Sequence, residues 1–355
     1  MAPSVAEIKS AEAVTDGVAK LKLANETAQA EQKADPGPSY PQYLPYFDPE
    51  EKWPPLELFE HIDAGSRANP AKPNLLNENS KVSHISPYLG TEIRGVQLSQ
   101  LSKEGLDELA LYTAERKVLI FRDQDFKDLG FDRQIEIAKH FGPIHRHPTS
   151  GNVKGYPEFH IVYRDAQNDR FSDYRGANRL TRLGWHSDVT YEKQPPSTTF
   201  FFILDQPPQV RRRHPLRKRL EGLKAVHSAV HQADYARNRG SIVRREPVET
   251  EHPIVRVHPV TGEKALFVNE GFTRRIVGFK QEESDFLLKF LLDHIAKGAD
   301  FQIRARYEPG TVVVWDNRLV VHSVNPDYKA EQRRHAVRLT PQAEVPIPFV
   351  SESSA

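Results

Sequence analysis

Short apolar runs closed off by turn residues constrain this chain most. Val118-Leu119-Ile120-Phe121, FHIVYR from Phe159 to Arg164, and FQIRARYEPGTVVVWDNRLVVHS followed by RRHAVRL read as strands or strand-turn-strand units. IVRVHPVTGEKALFV reads as a hairpin with its turn at Pro259 to Gly262. Helical periodicity is confined to a few segments. Ser102 opens a helix in which Leu106, Leu109, Ala110 and Thr113 share a face, and a second short helix lies around Ile135 to Phe141. In a third, Phe286, Leu287, Phe290, Leu291 and Ile295 form one apolar stripe. Strands without a regular alternation of helices argue against a doubly wound parallel sheet. The pattern predicts a mainly β fold with flanking helices, a sandwich or jelly roll.

Residues 1–55 are rich in Ala, Glu, Lys and Pro and read as a flexible or surface-wrapping arm; 56–345 read as the folded domain and 346–355 as a flexible tail. The polar stretch 165–182 has loop composition, and its length suits a lid or binding segment. Lys plus Arg (49) nearly cancels Asp plus Glu (48), so the chain as a whole is not a polyanion binder. One basic run, QPPQVRRRHPLRKR from Gln206 to Arg219, is the exception. It sits between apolar segments and carries no nucleic-acid reader motif, so no nucleic-acid partner is expected. No apolar stretch approaches the about 18–20 residues of a membrane span, and the N-terminus has no hydrophobic signal core. The expectation is a cytoplasmic protein with no membrane partner; association with a second copy is left open.

Cysteine is absent and there are 15 histidines, so any metal must be held by His, Asp or Glu. GWHSDVTYEKQPP sets His186 and Asp188 two residues apart, a spacing that puts both on one face of a strand. Spacing alone proves little, since an H-x-D pair also serves as a hydrogen-bonded edge pair. His322, at the end of the apolar run in TVVVWDNRLVVHS, is the best candidate for a third ligand; a core histidine satisfied by a carbonyl is the alternative. Two imidazoles and one carboxylate on one side of an ion leave its other positions open, the arrangement of non-haem Fe(II) oxygenases. Arg334 and Arg338, twelve and sixteen residues beyond His322, share a strand face. Paired arginines suit a carboxylate or sulfonate, although a solvated edge strand is the plainer explanation.

Taken together, ISPYLGTEIRGVQLSQL, VLIFRDQDF, HFGPIHRHPTSG, GWHSDVTYEKQPP, FVNEGFTRRI, VVWDNRLVVHS and QRRHAVR resemble the Fe(II)- and 2-oxoglutarate-dependent dioxygenases of the taurine dioxygenase type, especially the fungal sulfonate dioxygenases. The resemblance runs from about Val82 to Thr340 and implies a double-stranded β-helix, a jelly roll with iron at its mouth. It implies His186, Asp188 and His322 as the iron ligands and Arg334 as the partner of the distal carboxylate of 2-oxoglutarate. Arg338 would lie between co-substrate and sulfonate, His147 would help hold the sulfonate, and Val189 and Phe272 would line the pocket. His145 and His147 as a separate metal pair is an alternative, but no third ligand is indicated for it. The implied reaction uses O2 to convert 2-oxoglutarate to succinate and CO2, hydroxylating the carbon beside a sulfonate; the product collapses to an aldehyde and sulfite.

Three departures from the resemblance bear on activity. Ser150 stands where taurine-cleaving relatives have Tyr, and Arg182 where they have Asn, so a longer alkyl or aryl sulfonate, or an alkyl sulfate ester, fits as well as taurine. Gln209 to His214 stands where relatives carry a Gly-Gly-Asp-Thr segment and a helix, a shortening on the order of a dozen residues. The lost Thr hydroxyl would have bound 2-oxoglutarate with about 1.5–3 kcal/mol. A metal-binding relative without turnover is therefore the second expectation.

Overall fold

The structure, a computed structural model, describes residues 37–165, 184–205, 220, 222–298, 301–324 and 332–350. Five strands precede residue 206: β1 (Lys81–His84), β2 (Thr91–Arg94), β3 (Val118–Phe121), β4 (His160–Arg164) and β5 (Thr198–Asp205). β6 (Lys224–Ser228), β7 (Glu249–Pro253), β8 (Val255–Val257), β9 (Lys264–Leu266) and β10 (Thr273–Ile276) follow, then β11 (Val312–Asp316), β12 (Arg334–Leu339) and β13 (Ile347–Pro348). Four α-helices accompany them among the described residues: α1 (Lys103–Arg116), α2 (Phe131–Lys139), α3 (Val230–Asn238) and α4 (Gln281–Lys297). The expected hairpin and helices and most expected strands are present with boundaries shifted by a few residues, but FQIRARY (301–307) forms no strand and RLVVHS contributes only an isolated bridge at His322.

The seven-stranded sheet has the order β1-β2-β3-β11-β5-β12-β4, and only the β2–β3 pair is parallel. Two three-stranded sheets, β10-β6-β7 and β13-β8-β9, complete a mixed, sheet-dominated fold. Strands in the middle of a sheet covered on both faces lose the polar alternation of a half-exposed strand. β11 shows this: all five residues are buried, with Val312 and Val314 in the main core and Val313 and Trp315 on the opposite face. The main core gathers Leu119, Phe121, Phe200, Phe202, Val337 and Leu339 under α1 and α2. The other face carries Ile120, Phe201, Val313, Trp315 and Ala336. Because strand side chains alternate, Arg334 and Arg338 share this second face with Ala336.

α1 begins where Ser102 Oγ accepts the Gly105 N–H (3.1 Å) and stops at Lys117, whose φ of 67° breaks the helix. The apolar stripe expected on α4 holds at Leu291 and Ile295, with Leu287 packed against them, and is corrected at Phe286 and Phe290. Its buried face is Ser284, Leu288, Leu291 and Ile295, while Phe286 and Phe290 are 77% and 55% exposed. FLLKFLL offers two overlapping helical stripes, and the Ile276 N–H donating to Ser284 Oγ (2.9 Å) fixes which one turns inward.

The expected arm also ends earlier than residue 55. From Ser39 the chain belongs to the same compact unit as the sheets, with Tyr43 1% exposed in the main core and Arg244 held by Glu51 at 2.7 Å. An aromatic with that much apolar area is drawn into the core however polar its neighbours. At the other end, β13 pairs with β8 inside the segment expected to be a tail. No helix among the described residues is long and apolar enough to cross a membrane.

Candidate metal and co-substrate site

β11 ends at Asp316, six residues before His322, so His322 does not extend that strand as expected. A turn intervenes, and the chain returns to pair with the segment before Asp188. His186 and His322 exchange both backbone hydrogen bonds, at 2.9 and 2.7 Å, in an isolated antiparallel bridge. A pair of residues joined in this way holds its side chains side by side. The two rings lie 4.3 Å apart, and His186 Nε2 and His322 Nε2 are 3.7 and 3.6 Å from Asp188 Oδ1. The H-x-D pair is thus brought together without a regular strand: Asp188 lies in a turn, followed by Val189 at φ 40°.

The donor atoms suit a cation. His186 Nδ1 lies 2.9 Å from the Gly184 carbonyl, which can only accept, so that nitrogen carries the proton and Nε2 keeps its lone pair. His322 Nδ1 and Nε2 and Asp188 Oδ2 are buried without a hydrogen-bond partner. Unsatisfied buried polar atoms are rare and call for an explanation, which an ion supplies for one imidazole nitrogen of His322 and for the Asp188 carboxylate. Burial pushes the pKa of both histidines down, and the neighbouring His186 and Arg338 push His322 further, so both rings stay neutral and able to ligate. Two imidazoles and a carboxylate without thiolate fit non-haem iron.

Among the described residues, a second group, His61, Asp63 and Glu344, also brings three potential ligand atoms within 4.8 Å of one another. There Arg318 Nη1 reaches Asp63 Oδ2 at 2.5 Å and Glu344 Oε2 at 3.0 Å, and Arg256 also pairs with Glu344. Its carboxylates are already compensated. The alternative His145–His147 metal pair is likewise split: His145 Nε2 lies 2.9 Å from Glu192, which also binds Arg245, while the His147 ring turns to His160.

Arg334 and Arg338 open onto a cavity of about 830 Å³ whose wall includes His322, Trp315, Phe201 and Tyr307. The Arg338 guanidinium also pairs with Asp188 Oδ1, tying the cavity to the candidate metal ligands. Val189 and Phe272 pack together with Tyr191, and the Phe272 ring meets His186 edge-on at 6.3 Å. The Thr149 N–H donates to His147 Nδ1 (3.4 Å), placing that ring's own proton on Nε2. Burial, with His145 beside it, pushes His147 down to about 3, so it is a neutral donor. Ser150 is engaged through its carbonyl, which accepts from Arg244 at 2.7 Å. Arg182, the stretch 166–182 of the expected lid, and Gln209 to His214 lie outside the described residues.

Sequence reasoning assigned no role to Asn317, although WDNR was in view. Its Oδ1 accepts the Asp188 N–H (2.7 Å) and its Nδ2 donates to the Asp188 carbonyl (3.1 Å), clamping the backbone of the candidate ligand. Groups that orient a metal ligand change affinity or activity by about 10–100-fold when removed. Asn317→Ala is accordingly expected to weaken Fe(II) binding within that range, measured by anaerobic titration; unchanged affinity would disprove the clamp.

The chain matches the family described as taurine catabolism dioxygenase TauD, TfdA family, over residues 81–210 and 211–340. It is 48% identical to the alpha-ketoglutarate-dependent dioxygenase cnsM of Penicillium expansum over 93% of this chain and 95% of that one. It is 43% identical to the alpha-ketoglutarate-dependent sulfonate dioxygenase of Saccharomyces cerevisiae, over 87% and 79%. A taurine dioxygenase structure from Burkholderia xenovorans superposes with a TM-score of 0.60 at 28% identity, covering 76% of this chain and 93% of that one. The Penicillium alignment spans 347 positions but takes up 93% of 355 residues, about 330, so about 17 of its positions have no residue here. The two family-matched stretches meet at 210 and 211, inside the segment expected to be shortened. With the fold, the His-Asp-His cluster and these likenesses in agreement, the chain belongs to the TauD/TfdA family of dioxygenases.

Proposed function

We propose that this protein is an Fe(II)- and 2-oxoglutarate-dependent oxygenase that releases sulfite from an organosulfonate, a cytoplasmic sulfur-scavenging step, on a double-stranded β-helix. The observation that carries the reading is the set of buried, unpartnered ligand atoms on His322 and Asp188, next to two arginines on one cavity wall. His186, Asp188 and His322 hold the iron. Arg334 pairs with the distal carboxylate of 2-oxoglutarate, and its forked guanidinium suits a two-oxygen anion. Arg338 and the Nε2–H of His147 bind the sulfonate, with Val189 and Phe272 as apolar walls and Ser150 and Arg182 facing the remainder of the substrate.

When bound, iron and 2-oxoglutarate supply with O2 the oxidising equivalents for hydroxylation, while the protein sets geometry and excludes water. Hydroxyl on the carbon beside the sulfonate makes an unstable product. Loss of the hydroxyl proton forms the aldehyde C=O as the C–S electron pair departs with sulfite. Incubation with Fe(II), 2-oxoglutarate, O2 and a panel of taurine, 1-hexanesulfonate and hexyl sulfate is expected to give succinate and sulfite in equal amounts from the sulfonates. Succinate with sulfate from hexyl sulfate alone would instead assign a sulfate-ester oxygenase.

The shortened segment favours a second reading, a metal-binding relative with an impaired co-substrate site. 2-Oxoglutarate binding in the low micromolar range with Fe(II) present counts against it, and absence of binding supports it.

A further inference from the structure

His160 has no role in the site as described, yet it lies against it. β12 runs between β5 and β4, and its register sets Arg338 opposite Phe201 on one side and His160 on the other. His160 shares its strand face with Val162, which lines the cavity beside Arg334 and Arg338. From the loop after α2, the His147 ring comes to 4.2 Å from the His160 ring, tilted by 32°. Two imidazoles and a guanidinium therefore meet at one point on the sheet face that carries the candidate co-substrate arginines.

Two properties separate His160 from an ordinary core histidine. It is half-buried and keeps accessible surface, while burial, followed by His147 and Arg338, pushes its pKa well below the usual histidine value. No described residue hydrogen-bonds to its ring, whereas His145, His227, His252 and His258 each have a partner within 3.0 Å. A half-buried ring with accessible surface and no described partner is free to donate its N–H to a bound molecule.

We propose that His160 is the second imidazole of the substrate's anion pocket, acting with His147 and Arg338 as three donors that select a tetrahedral monoanionic head, a sulfonate or a sulfate monoester. The inference rests on the proposed oxygenase reading and deepens it. A neutral imidazole offers one N–H whichever tautomer it takes, so each ring gives one hydrogen bond to one oxygen. Three convergent donors match the three terminal oxygens of R–SO3⁻ and leave one donor idle against a carboxylate. Only Arg338 carries a formal charge among the three, and it is shared with Asp188. A phosphonate dianion would therefore be left undercompensated in a desolvated pocket.

The test is anaerobic calorimetry on the full chain loaded with Fe(II) and 2-oxoglutarate, using 1-hexanesulfonate, hexyl sulfate and, at pH 8.5, hexylphosphonate. Wild type is expected to bind the first two and to discriminate against the third. His160→Leu should weaken hexanesulfonate binding by about ten-fold or more and narrow its margin over hexylphosphonate, because a hydrogen bond to a charged group is lost. His160→Gln keeps an N–H donor and should recover most of the affinity, and 2-oxoglutarate affinity reports an intact fold in both variants. Equal hexanesulfonate affinity in wild type and His160→Leu overturns the proposal. So does a matching loss of 2-oxoglutarate and sulfonate binding in both variants, which marks a structural role. If wild type binds no sulfonate and releases no sulfite, the oxygenase reading falls first and this proposal with it.

Discussion

An alanine at position 322 is expected to end sulfite release from any sulfonate and to remove most of the affinity for Fe(II). His322 offers two buried nitrogens without a partner, and its backbone bridge to His186 aims the ring at Asp188. Removal of a group that merely orients a ligand costs about 10–100-fold in metal affinity or activity, so loss of a direct ligand should exceed that range. The same truncation relieves a neutral, desolvated imidazole of its unsatisfied atoms, so the metal-free fold should not become less stable through lost hydrogen bonds. Fe(II) titration, succinate release and thermal melting without metal read these outcomes separately. Wild-type metal affinity in His322→Ala would remove the ligand assignment.

Replacing Arg318 by Leu is expected to destabilise the protein by about 3–5 kcal/mol, because it leaves buried carboxylates without their cation. Arg318 sits at the turn after β11, where Nε and Nη2 bond Asp316 at 2.9 and 2.7 Å and Nη1 reaches Asp63 and Glu344. Asp316 is fully buried and also meets His258 at 3.0 Å. Burial alone would raise the Asp316 and Glu344 carboxyls; Arg318 overrides it, with His258 assisting at Asp316 and Arg256 at Glu344, and holds both below their ordinary values.

Depressed carboxylate pKa values contribute stability that is fully present above the unfolded values near 4 and is lost as pH falls through the folded ones. Wild type should therefore lose stability on acidification below about pH 4, and Arg318→Leu should lose less over that window. The melting temperature of the variant at pH 7 should fall by about 10 °C. The turn it disturbs also carries Asn317, so metal affinity should drop in parallel. A variant with the wild-type melting temperature would show that the network contributes nothing net.

The site was legible in the sequence to the extent that its chemistry depends on residue type and short spacing. Without cysteine, a metal had to fall to His and carboxylates, and a strand's period of two put Arg334 and Arg338 on one face before any pairing was known. The resemblance then named His186, Asp188 and His322, which the fold does bring within reach of one ion. Periodicity on α4 was less informative, since FLLKFLL carries two stripes one residue apart and only its partner could choose between them.

What the sequence determined by itself was therefore the strand-rich class, the kinds of ligand available and the face shared by Arg334 and Arg338, because periodicity and composition are local properties. Only the tertiary structure decided that His322 pairs with His186 across 136 positions, that Asn317 grips the backbone of Asp188, and that His160 stands opposite Arg338 beside His147. These depend on which strands become neighbours and in what register. That choice is made by burying both faces of β11, β5 and β12 at once, which no single segment encodes.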